Sequence, residues 1–111
     1  MGRIKLRWFY TDLVEHYFRM AVRYKTVSKA SSQHWFDITT DWINELSDED
    51  KQFIRFVFHK QFFSTAEGLY CYQCKDDMFL KRVRLAELEK DFALKCGLIG
   101  EDSTGDNALS E

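Results

Sequence analysis

The chain contains no proline, which excludes polyproline segments, cis-proline turns and proline-kinked helices. Glycine is scarce as well, and its five copies are too scattered to cradle a nucleotide phosphate. Three cysteines, at positions 71, 74 and 96, form an odd set without the spacing of a disulfide framework, so they read as free thiols in a reducing compartment. No stretch approaches the roughly 18 uninterrupted apolar residues that a membrane span needs. The basic start, with Arg3, Lys5 and Arg7, lacks the apolar run of a secretory signal, and Leu6 stands where a myristoylation motif wants Ser or Thr. Neither charge dominates: 16 Lys and Arg against 18 Asp and Glu leave a net charge of −2, which excludes a histone-like polycation.

What is present is apolar and aromatic. Hydrophobic residues make up 45% of the 111 and aromatic ones 16%, enough for one small domain with a real core and too much for a disordered chain. The near-neutral total conceals segments of opposite sign. Residues 1–30 carry net +5, residues 31–77 net −5, and residues 78–111 net −2, with a basic stretch masked by an acidic end.

Periodicity predicts an all-α fold of about five helices within residues 1–100, followed by an acidic disordered tail at 101–111. Phe9, Leu13, Tyr17 and Met20, flanked by Tyr10, Val14, Phe18 and Ala21, predict a helix over 8–24 with Glu15, Arg19 and Arg23 on its polar side. Residues 26–33 read as a polar loop, and Trp35, Ile38, Trp42 and Leu46 mark a second helix over 35–46. Ser47 followed by Asp48, Glu49 and Asp50 is a strong helix start, since the cap and the dipole favour these residues there. That helix is expected over 48–62, with Phe53, Ile54, Val57, Phe58 and Gln61 inward. Ser64 and Glu67 match a capping box opening a short helix over 65–74. Asp76 or Asp77 caps a last helix over 78–96, closed by Gly97.

A supporting helix, a short helix, a tight turn and a longer helix are laid out as a helix-turn-helix over about 48–96. On a helical wheel Phe79, Val83 and Ala86, with Leu80 at the edge, would face the core, leaving Lys81, Arg82 and Arg84 outward with Lys75 in the preceding turn. Basic residues there suit phosphate and base-edge contacts on double-stranded DNA. Leu85, Leu88 and Phe92, followed by Cys96, form a second stripe on the opposite side. One helix with two apolar stripes needs two partners, so this stripe packs on the first helix or on a second copy in a homodimer.

The stretches L-S-D-E-D-K-Q-F-I-R-F-V-F (46–58), S-T-A-E-G-L (64–69) and F-L-K-R-V-R-L-A-E-L-E-K-D-F-A-L-K-C-G-L-I (79–99) resemble the small phage and prophage late transcription regulators of the ArpU/RinA type. Their C-terminal part looks like the helix-turn-helix of sigma factor region 4. The resemblance covers about half the chain and rests mainly on apolar pattern. It implies a cytoplasmic regulator in a bacterial host that binds promoter DNA, with RNA polymerase as a further candidate partner and Lys81, Arg82 and Arg84 as candidate contacts. The chain departs from it in its acidic balance and in the carboxylates Asp76 and Asp77 beside the expected groove.

Other readings compete. The basic residues of the last helix also fit a plain solvated face paired with Glu87 and Glu89, and the basic N-terminus fits either a DNA-reaching arm or an inert end. The acidic middle, with Asp37, Asp41, Glu45, Asp48, Glu49 and Asp50, or exposed aromatics, would suit a protein-interaction module such as a phage-encoded inhibitor or adaptor binding a host protein. Cys71 and Cys74 form a CxxC without a second ligand pair, so packing thiols are expected rather than a metal site. No nucleophile motif or paired-carboxylate signature is visible, His59 reads as a surface or half-buried residue, and neither enzymatic activity nor a cofactor is expected.

Overall fold

The computed structural model describes residues 8–25 and 30–99; the side chains described begin at Tyr10 and, after the gap, at Ser32. Five helices follow in order: α1 (Trp8–Arg23), α2 (Ala30–Asn44), α3 (Asp48–Val57), α4 (Thr65–Cys71) and α5 (Met78–Lys95). The described residues contain no strand. The expected DNA-reaching arm at Arg3, Lys5 and Arg7 and the tail at 101–111 lie outside them.

Three starts follow the predicted caps. Ser47, Ser64 and Asp77 each accept a backbone N–H three residues on, from Asp50, Glu67 and Leu80. This satisfies donors that the first helical turn leaves unpaired. The box at Ser64 is offset by one residue, because Glu67 reaches back to the N–H of Phe63, 2.8 Å away. At the far end of α5, Gly97 adopts φ 80°, the left-handed conformation that stops the helix.

Helix lengths differ from the periodic pattern in three places. α2 begins at Ala30, inside the segment read as a loop, since small polar residues tolerate a helix where its apolar face is already packed. α3 stops at Val57 rather than 62. Arg23 explains the early stop: its guanidinium donates to the carbonyls of Phe58, His59 and Phe62 at 2.9, 3.5 and 3.2 Å, which fixes the chain as it leaves the helix. Gln61 is exposed as a result, against the expectation that it faces inward. α4 ends at Cys71 rather than 74.

The core gathers around α1. Phe18 stacks on Trp42 with centroids 5.3 Å apart, and meets Phe58 and Phe92 edge-on. Tyr17 stacks on Trp35 at 4.8 Å. Such aromatic pairs contribute beyond the area they bury. The Trp42 indole donates to Asp91 at 3.0 Å, so the ring's polar edge is satisfied where it leaves the core. Thr39, fully buried, returns its hydroxyl to the Trp35 carbonyl. Leu85, Leu88 and Phe92 are buried in this same core, and Phe92 touches Tyr17, Phe18 and Trp42. Of the two alternatives for that stripe, packing within the chain is the one observed. The stripe is not available to a second copy.

Candidate interaction surface

The last helix is rotated relative to its wheel reading, and this decides which residues reach solvent. Its buried side comprises Lys81, Leu85, Leu88, Glu89, Phe92 and Ala93. The stripe of Leu85, Leu88 and Phe92 thus extends one turn backward onto Lys81, rather than changing face. Phe79, expected inside, is 70% exposed, and Leu80 is 47% exposed. Val83 and Ala86 are half-buried.

Lys81 keeps only 8% of its surface. Its ammonium donates to the carbonyls of Leu69 and Tyr72 at 3.0 and 2.5 Å. Those carbonyls terminate α4, where the backbone carries partial negative charge. The aliphatic stem fills a core position and delivers the charge to the helix end. Lys81 is therefore a structural cap for α4, and its expected outward role is corrected.

Arg84 is also engaged inside the molecule. Its guanidinium pairs with Asp50 at 3.0 Å, with Glu49 at 3.7 Å and with Asp76 at 3.9 Å. It lies over the Phe53 ring, 4.6 Å from the centroid. Four groups hold one arginine, which joins the start of α3 to the turn before α5. Of the four expected DNA contacts, only Lys75 and Arg82 are exposed.

The acids of the middle segment stand in the opposite situation. Asp37, Asp41 and Glu45 recur every four residues along and just past α2, and Asp48 and Glu49 follow in the first turn of α3; all five are exposed. Asp37 accepts from Gln33, one turn earlier on its own helix. Asp50 and Asp76, gathered on Arg84, extend this acidic surface to the base of α5. Leu80 lies one turn before Arg84 on the same side of α5, so apolar surface adjoins the acids there. Phe63 is fully exposed and Tyr70 79% exposed on the neighbouring α4 segment.

Other sites expected from the sequence come out differently. Cys71 and Cys74 are both exposed, which corrects their reading as packing thiols. Cys96 is half-buried, and burial, helped by the charge of Asp91 and opposed by Lys95, pushes its thiol up to about 11. His59 is exposed, and its Nδ1 accepts from the Gln61 N–H. Glu89, read as a surface partner of the basic residues, is buried to 4% exposure. No group of three or more potential metal ligands occurs among the described residues, and none of their helices is long and apolar enough to cross a membrane. Comparisons with protein-family models, curated proteins and solved structures found no match to this chain.

Proposed function

We propose that the chain is a protein-interaction module whose partner presents basic side chains beside an apolar strip. The observation that carries this reading is the allocation of charge. Two of the three basic residues of α5 that would meet phosphate, Lys81 and Arg84, are engaged inside the molecule, whereas the five acids at 37, 41, 45, 48 and 49 are exposed. Exposed Phe79 and Leu80 add the kind of large apolar side chains that dominate binding energy at interfaces. The acids supply steering and register for a partner of opposite sign.

Zero-length carbodiimide cross-linking tests this directly, because it joins a carboxylate only to an amine in contact with it. The expected result is a discrete adduct that maps Asp41, Glu45, Asp48 or Glu49 onto lysines of one partner protein. Unmodified carboxylates, together with a DNA mobility shift that Lys75→Ala/Arg82→Ala abolishes, would overturn it.

Double-stranded DNA binding as a transcription regulator of phage type is the second reading. Lys75 and Arg82 favour it, since both remain exposed at the N-terminal end of the helix that would enter the groove. Against it stand Glu49, Asp50, Asp76 and Asp77, whose charges repel phosphate at the same place.

A further inference from the structure

A cleft of about 350 Å³ opens where the C-terminal turns of α1 and α2 meet the end of α3. Ala21 and Val22 of α1 and Ile43 of α2 give it an aliphatic wall, and Asn44, Arg55 and His59 line its polar side. No carboxylate lines it, although acids outnumber bases in the chain. These three polar side chains all have donors to spare. Arg55 is exposed and donates from Nη2 to the Asn44 side-chain oxygen at 3.1 Å. A guanidinium holds five N–H groups in a planar fork, so this bond occupies one edge and leaves another open. Asn44 spends its oxygen in that bond, and its amide N–H groups have no partner among the described residues. His59 accepts the Gln61 N–H on Nδ1 at 3.1 Å, which places the ring proton on Nε2. The backbone N–H groups of Phe58 and His59 still bond back to Ile54 and Phe56, so Arg55 and His59 leave the chain about one turn apart. An aliphatic wall thus meets four open donors, two from Arg55 and one each from Asn44 and His59.

We propose that this cleft binds a small aliphatic monocarboxylate, its head on Arg55, Asn44 and His59 and its hydrocarbon on Ala21, Val22 and Ile43. A carboxylate offers about four lone-pair positions on two oxygens, which matches the donors in number. The open edge of Arg55 takes both oxygens in parallel hydrogen bonds, and the Asn44 amide and His59 Nε2 take one further position each. Three aliphatic side chains beside a few convergent polar groups are the usual division of labour of a small-molecule site. The ligand's charge is set by the flanks. Asp41, one turn before Asn44, and Glu45, next to it, are exposed along α2 without lining the cleft. Their repulsion grows with the charge of the ligand, so a single negative charge is accepted where a phosphate dianion is disfavoured.

The test is a titration of the intact chain at neutral pH followed by amide and methyl NMR, with isovalerate, acetate, isoamyl alcohol and inorganic phosphate as separate probes. Isovalerate is expected to give saturable shifts confined to the last turns of α1 and α2 and to residues 55–59, at an affinity of about 1 mM. Acetate, which lacks the hydrocarbon, and isoamyl alcohol, which lacks the charge, should each bind about ten-fold more weakly, and phosphate at least as weakly as these. Arg55→Gln, at an exposed position, should bring isovalerate down to the level of isoamyl alcohol. Arg82→Gln removes an exposed cation that does not line the cleft, and should leave isovalerate binding unchanged. The proposal is overturned if isovalerate gives no saturable shifts at about 20 mM, if isoamyl alcohol or phosphate binds as tightly as isovalerate, or if Arg55→Gln binds isovalerate as the unaltered chain does.

Discussion

The Lys81 ammonium lies beneath the end of α4, held by the carbonyls of Leu69 and Tyr72, the first of which also accepts the Tyr72 N–H. Replacing it with methionine keeps the stem but removes the charged donor from both carbonyls and leaves that of Tyr72 without the ammonium. Lys81→Met should destabilise the domain by about 2–3 kcal/mol in chemical denaturation, the range for losing hydrogen bonds to a charged group. Glu89 makes a prediction of the opposite kind. Burial, followed by the hydrogen bond to Glu15 and the charges of Glu15 and Asp12, and opposed by Arg19, raises its carboxyl from 4.5 to about 11. Among the groups facing it, α1 contributes Asp12, Glu15 and Arg19, α5 contributes Arg82, and α4 contributes the untitratable Thr65. Below pH 4.5 the group is neutral folded or unfolded; above it the unfolded chain releases the proton and the folded chain keeps it. Stability therefore falls as pH rises between 4.5 and 11, by at most about 1.4 kcal/mol per unit. Glu89→Gln should flatten that slope in denaturation series between about pH 5 and 9, and leave the variant the more stable form at the alkaline end.

At the scale of the helix, the sequence was most legible where local chemistry decides. Ser47, Ser64 and Asp77 cap three helices because the donors they satisfy lie three residues away in the chain. The rotation of α5 was not legible from the apolar residues of its first half. Phe79, Val83 and Ala86 form a good stripe, but α5 has one core to face and the longer stripe of Leu85, Leu88 and Phe92 takes it. Extending that stripe backward lands on Lys81, a signal that was present and was masked by the assumption that lysine faces water. Glu89, beside the same stripe at Leu85 and Leu88, was missed for the same reason. The early end of α3 depends on Arg23, 35 residues before Phe58, so no local pattern carries it. Gly68 was equally silent. A Cβ there would lie 2.1 Å from the Val57 carbonyl oxygen, so α4 crosses α3 backbone to backbone. Alanine favours helix by about 1 kcal/mol, yet the clash is with rigid backbone and must win. Gly68→Ala should lower stability by about 1–3 kcal/mol and selectively speed amide exchange in α4.

Across the whole molecule, the two candidate surfaces proposed from sequence fared unequally as physical objects. In the basic one, Lys81 is taken up by carbonyls at the end of α4 and Arg84 by acids of α3 and the turn before α5, while Lys75 and Arg82 remain exposed. The acidic one lay on consecutive turns of a single helix and the start of the next, where spacing alone sets the face. Folding thus takes up half of one charge pattern and displays most of the other, and the net charge of −2 reports neither. The exposed pair Phe79 and Leu80 sits where the two readings diverge most sharply, in the first turn of α5, Phe79 one turn before Arg82 and Leu80 one turn before Arg84 with its acids. A photo-cross-linking amino acid placed at position 79 of the intact chain in cells therefore tests the account most directly. The account predicts a discrete protein adduct that disappears when Asp41 and Glu45 are reversed to lysine. An adduct that is removed by nuclease and survives the charge reversal would contradict it.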